Sequence, residues 1–321
     1  MRRKAMAAFV ARRLLVLVVL LFVLSFLVFS MLYLAPGSPE QVLLGVKPAT
    51  PELRHQLQVE FHLDKPFLEQ YWLWLQSALQ LDFGRSIQTG RTVTSMIDAR
   101  MGLTAFLAVY AFVVALLAGI PLGILAATRR RSGLDRGVVG VSVLGASAPV
   151  FVTGVMLLYL FAVQLAWFPA YGPGDGFADR LWHLTLPAVA LAFGLMAVVV
   201  KLTRAALITE LEQDYVAFAR ARGVPPRRVL VRYALRNALV PIVTVGGLMF
   251  TALIVGSVLV EATFTLPGMG SLLISAVANK DLPVLEGIVM LTAALVICVN
   301  LVVDVLYAFI DPRIALGKAR A

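Results

Sequence analysis

Asp214–Pro241 reads DYVAFARARGVPPRRVLVRYALRNALVP, and apolar stretches long enough to cross a bilayer flank it on both sides. Its first half has the marks of a short helix. Asp214 is placed to cap it, Tyr215–Arg222 continue it, Gly223 supplies a stop, and Pro225 and Pro226 prevent continuation. A second helix is expected from about Arg227. On it Arg228, Arg232 and Arg236 recur every four residues as one basic stripe, with Val229, Leu230, Tyr233 and Ala234 away from it. That pattern suits a helix seated at a lipid surface before it turns into the membrane. An ordinary basic cytoplasmic loop would share the charge. The short helix ending at a glycine adds a compact knob that could enter a partner's groove.

Composition agrees with a membrane body on either side. Of 321 residues, 60% are hydrophobic and 14% charged, against about half and a quarter in soluble domains. The net charge of +10 is not gathered on a soluble module, and spans bracket each basic cluster, which argues against nucleic acid. The lone Cys298 lies in an apolar run, facing lipid or a neighbouring helix.

Read outward from the loop, six spans are expected: Leu14–Leu34, Leu103–Thr128, Val138–Trp167, Leu184–Leu202, Leu239–Val260 and Leu285–Ile310. The first follows a basic N-terminus and is too long for a signal-peptide core. Gly119 and Gly123 form a GxxxG that permits close helix approach. Pro149, in the third span, marks a kink, hinge or cavity wall. Pro51–Leu63 and Pro66–Leu81 look amphipathic, with Tyr71, Trp72 and Trp74 suited to a membrane interface. With both termini inside, 20 of the 28 Lys and Arg fall on the cytoplasmic side and 12 of the 18 Asp and Glu outside, as the positive-inside rule requires. The fold expected is an all-α integral membrane protein of six transmembrane helices. Residues 1–34 hold the cytoplasmic N-terminus and first helix, 35–101 form an extracytoplasmic segment, and 102–321 form the transmembrane domain with a cytoplasmic loop at 204–238.

Chemistry of its own is hard to find. No GxxxxGK[ST], HExxH or GxSxG occurs. His55, Glu60 and His62 are poorly spaced for a metal, and His183 beside Trp182 suits an interface. Asp304, near Asp311 and Arg313, lies close enough to the membrane edge to be structural, and Asn300 suits packing. A translocation body without an energy source, bearing an elaborate cytoplasmic loop, points to energy arriving from a separate protein.

The chain resembles the B-type permease subunit of bacterial dipeptide and oligopeptide ABC importers. The resemblance rests on ARRLL at Ala11–Leu15, LAPGSP at Leu34–Pro39, FHLDKPFLEQYWLWL at Phe61–Leu75, LDFGRSI at Leu81–Ile87 and the Asp214–Pro241 loop. VEATFTLPGMGSLL at Val260–Leu273, KDLPVLEG at Lys280–Gly287 and DPRI at Asp311–Ile314 complete it. It implies the type I ABC importer architecture in the bacterial inner membrane. It also implies that the loop is the coupling motif, EAA, three residues, then Gly. The EAA positions fall on Ala217, Phe218 and Ala219 and the glycine on Gly223. The glutamate is absent, and only Ala219 agrees with its position. The coupling residues implied are Tyr215, Ala217, Phe218, Ala219, Arg220 and Gly223. An outer gate is expected at Phe264, Leu266, Pro267, Gly268, Met269 and Gly270, where LPGMG breaks two apolar flanks. The partners implied are a second, homologous permease, two ATP-binding subunits, an extracytoplasmic peptide-binding protein and membrane lipid. No cofactor is expected in this chain, ATP and Mg belonging to the partner ATPases. Related permeases serve nickel, glutathione or oligosaccharides. A stand-alone channel or secondary transporter is the alternative from another class.

Overall fold

A computed structural model describes residues 2–34, 37–44, 50–51, 55, 58–59 and 61–310. The sequence readings at Glu60, Asp311 and Arg313, and at the side chain of Asp304, lie outside the described residues. Among the described residues the longer regular elements are helices: α1 (Arg2–Leu34), α2 (Phe67–Leu79), α3 (Val93–Thr128), α4 (Gly133–Ser147), α5 (Val150–Leu157), α6 (Gly176–Leu211), α7 (Asp214–Ala221), α8 (Arg236–Thr263), α9 (Met269–Ala278) and α10 (Leu282–Ile310). Five are long and apolar enough to cross a membrane, and α4 with α5 supplies a sixth span if the bent pair crosses once. Helices recur because a backbone in hydrocarbon must satisfy its own polar groups.

The third span departs from the simple expectation. It is broken at Ala148–Pro149, and its two arms diverge by 109°. Proline cannot donate to the previous turn and disfavours helix in the residue before it. Ala148 is accordingly extended, at φ −77° and ψ 127°. The second arm widens into a π-helical run over Leu158–Gln164. The fourth span begins earlier than expected, at Gly176, and the second at Val93.

The described chain divides into two compact units. One contains Met1–Leu103 and Pro267–Val305. In it, Phe26 and Phe29 of α1 pack edge-on and tilted against Phe67 and Tyr71 of α2 at 5.3–5.8 Å between ring centroids. Tyr71 is buried and shares a hydrogen bond with Ser25 at 2.8 Å. Trp74 Nε1 donates to Glu286 Oε2 at 3.0 Å. Tyr71 and Trp74 turn inward onto α1 and α10, and Trp72 is exposed. The segment 83–97 has a real core, because Phe83, Val93, Met96 and Ile97 bury against Met269, Leu272, Ala276, Val284 and Ile288. Ser86 Oγ and the Ile87 amide both donate to the buried Asp281 carboxylate, at 2.6 and 3.2 Å.

The other unit contains Thr104–Leu266. Its post is α6, buried over much of its length, with α4, α5 and α8 packed around it. The GxxxG of α3 fits here. A Cβ on Gly119 would stand 2.8 Å from Val199 Cγ1, and one on Gly123 would stand 2.5 Å from Thr203 Cβ and 2.9 Å from the Val200 carbonyl oxygen. Only hydrogen lets the two helices approach this closely. At the far end of α8, buried Glu261 accepts from Thr104 Oγ1 at 2.6 Å.

Candidate functional site: the cytoplasmic loop

α7 is eight residues long, far below the length at which an isolated helix holds itself in water. Tertiary contacts must hold it, and they do so on one face. Val216 and Ala219 bury with Val229, and Leu211, Val224 and Tyr233 close around them. Val216 and Ala219 are three residues apart, which places them on one face of the helix.

The start of α7 differs from the expected cap. Gln213 occupies the cap position, at φ −73° and ψ 148°, and its side chain makes no cap hydrogen bond. Asp214 is the first helical residue, where its charge still suits the positive end of the helix dipole. Tyr215 does the fastening instead. Its hydroxyl donates to Glu210 on α6 and accepts from Asn237 Nδ2 on α8 at 3.1 Å. Burial, with the Glu210 carboxylate next, raises the phenol above its ordinary pKa, so it remains a donor.

The end of α7 follows the sequence. Gly223 sits at φ +75°. Its amide donates to the Arg220 carbonyl at 2.9 Å, and the Val224 amide reaches the Ala219 carbonyl at 3.2 Å. Val224 packs in the same cluster as Ala219. These bonds and that contact make a Schellman ending, in which glycine avoids the Cβ penalty of the left-handed conformation.

The chain then enters a helix at Pro226, earlier than Arg227, with Pro225 before it. Val229–Leu235 is wound as a π-helix before α8 takes over. Arg228, Arg232 and Arg236 all remain exposed, while Val229 and Ala234 are buried. A cavity of about 490 Å³ lies beside α7, with Arg220 and Arg227 among its lining residues and Leu211, Val224 and Leu230 behind them.

Of the residues assigned to coupling, Ala217, Phe218, Arg220 and Gly223 lie on the exposed side. Phe218 is 67% exposed. Ala219 faces inward, and the Tyr215 hydroxyl is spent within the chain. Sequence reasoning missed Val216, although its offset of three from Ala219 could have shown it.

The residues expected as an outer gate are mostly covered by the chain's own packing. Phe264 and Leu266 are buried, with the Phe264 ring near the position a Cβ on Gly154 would take. The Leu266 amide donates to the Glu261 carbonyl at 2.8 Å, closing α8 around Thr265, which has φ +52°. Gly268, Met269 and Gly270 are buried at the start of α9, and Pro267 is exposed. Glu286, a buried carboxylate in the last span, was passed over in the sequence.

Comparison with known proteins places this architecture. Residues 119–316 match the family described as "Binding-protein-dependent transport system inner membrane component", and residues 6–108 match the N-terminal family of the same membrane components. The oligopeptide transport system permease protein AppB of Bacillus subtilis is 38% identical over 315 residues, covering 96% of this chain and 99% of that one. The glutathione transport system permease protein GsiC of Escherichia coli K12 is 38% identical over 309 residues. The di/tripeptide permease DppB of Pseudomonas aeruginosa is 37% identical over 332 residues. Both alignments cover 96% of this chain and 99% of the relative. Among solved structures, an inward-facing form of the MetNI methionine ABC transporter aligns with a TM-score of 0.56 at 18% identity, over 70% of this chain and 97% of that one. That likeness gives the type I importer permease fold. The chain belongs to the family of binding-protein-dependent transport system inner membrane components, as a multi-pass protein of the inner membrane.

Proposed function

We propose that this chain is one permease subunit of an ATP-driven importer that carries di- or oligopeptides into the cytoplasm. The observation that supports this best is α7: a short helix braced on its inner face, ended by a left-handed glycine, and leaving Ala217, Phe218 and Arg220 exposed. It has the shape of a fixed peg for a groove on another protein. The names of AppB and DppB support peptide as the substrate class. GsiC is as similar, and its substrate, glutathione, is itself a small peptide.

On this reading one ATP-binding subunit docks at α7 and a second docks at the corresponding helix of a second permease, a homologue of this chain. ATP and Mg bind in those subunits, which hydrolyse the nucleotide. An extracytoplasmic peptide-binding protein delivers the substrate to the outer segments, where Phe264–Gly270 gates the path. Closure of the ATPase pair moves α7 and rocks the spans between inward- and outward-facing states.

Purification of the tagged chain from native membranes tests the reading. A second permease and two ATPases should co-purify, and altering Ala219–Gly223 should release the ATPases. A chain that purifies alone and moves solute in vesicles without ATP would overturn it.

A further inference from the structure

Two ion pairs join the turn after α3 to the cytoplasmic end of α6. Asp135, the third residue of α4, is buried. Its Oδ1 accepts from Arg204 Nε at 2.6 Å, and its Oδ2 accepts from Arg204 Nη2 at 2.9 Å. Oδ2 also accepts the Arg131 amide at 2.9 Å, while the Asp135 amide donates to Ser132 Oγ at 3.2 Å. The carboxylate is therefore built into both the capped start of α4 and the guanidinium fork on α6. The second pair, Arg130 Nη1 to Glu212 Oε1 at 2.5 Å, is exposed and contributes little by itself.

Further along, Gly137, Val138, Val141 and Ser142 of α4 face Phe193, Met196, Ala197 and Val200 of α6 across an apolar cavity of about 340 Å³. Beyond the cavity Gly145 of α4 sits against the Phe193 ring, where a Cβ would stand 3.0 Å away. Between these helices the charged contact is therefore at the α7 end and the steric contact is toward the break. A bidentate pair has one geometry, and parting it leaves the buried Asp135 carboxylate with only the Arg131 amide, while Arg204, whose side chain is 29% exposed, can turn to water. Arg204 lies two turns before the end of α6, and only Glu212 and Gln213 separate that end from α7. At its other end α4 reaches the 109° break before α5.

We propose that the Asp135–Arg204 pair is the strut that carries a displacement of α7 into α4 and so to the break at Pro149. Asp135 and Arg204 are positioning residues for transport, acting on the pathway through the helices they lock. The proposal rests on the reading of α7 as the helix that docks the ATPase.

The test uses the complete complex in proteoliposomes and reads two quantities: solute moved per ATP hydrolysed, and the amount of ATPase subunit retained. Asp135→Asn and Arg204→Lys should retain the ATPases and go on hydrolysing ATP, while solute per ATP falls about tenfold, the range of a typical coupling energy. Asp135→Glu, which keeps a carboxylate for both the Arg204 fork and the Arg131 amide, should hold more of that ratio than Asp135→Asn. Singles with an unchanged ratio, or with both rates falling in step, would overturn the strut. So would Asp135→Glu, assembled with its ATPases, that does no better than Asp135→Asn. Failure of the wild-type complex to contain an ATPase would instead overturn the docking reading, so the two failures are distinct.

Discussion

Glycines separate two kinds of constraint in this protein. Among the described residues, no atom beyond its chain neighbours lies within 4 Å of a Cβ placed on Gly223, so the obstacle there is its φ of +75°. Gly223→Val should cost about 1–2 kcal/mol locally and lower ATP-coupled uptake, whereas Gly223→Asn should keep most of it. Uptake assays on both variants check this, and normal uptake in the valine variant would remove the role given to the glycine. Gly123 has helical backbone but no room. Gly123→Leu should lower the thermal midpoint of the detergent-solubilised chain, with about 1–3 kcal/mol of overpacking to accommodate. An unchanged midpoint would contradict the close approach of α3 to α6. Both glycines were legible in the sequence, one from the prolines behind it and one from its GxxxG spacing. Asp214 was misread by one position, because Gln213 and Asp214 are both polar and backbone angles decide which of them is the cap. Glu286 was not legible at all, since its partner Trp74 is 212 residues away in the chain.

α7 gains its shape from contacts on one face and presents the other. Phe218→Ala should leave the detergent melting curve within about 0.5 kcal/mol of wild type, as exposed positions do, yet reduce ATPase recovered by pull-down. Val216→Asp should do the reverse first: an unpaired charge among Ala219, Val229 and Val224 would unfasten the helix, and lost ATPase binding would follow from lost structure. Pull-down and hydrogen exchange on the two variants separate the cases. If Phe218→Ala retains all its ATPase, the exposed face is not the docking face. The broken third span shows the limit of local reading. Pro149 announced an interruption, but a proline fixes only its own φ and the conformation before it. The 109° angle depends on what α4 and α5 each pack against, principally α6, and no nearby residue encodes that. The π-helical run at Val229–Leu235 was equally hidden, because the i, i+4 pattern of the arginines reads the same in the sequence whichever helix winds there.

Charge distribution and apolar length made the membrane body legible from the chain as a whole. Each basic residue near an anionic leaflet contributes about 1 kcal/mol of attraction. Arg228→Glu with Arg232→Glu should therefore lower the amount of protein inserted while the surviving fraction keeps its substrate profile. Quantifying membrane-integrated protein beside competition uptake checks this, and normal insertion with an altered profile would contradict it. The grouping of residues into units was not legible, because Val93 and Ile97 find their core partners at Met269, Leu272 and Ile288, far along the chain. That separation has a consequence for biosynthesis. The outer segment leaves the ribosome long before α9 and α10 exist. At ~5–20 residues per second, the partners of Ile97 follow roughly 9–38 s behind it. For that interval Phe83, Val93 and Met96 lack the partners that bury them in the finished chain. Quality control of this permease is thus set by the arrival of its last helix, and truncation before Met269 should yield a chain clipped between residues 83 and 97.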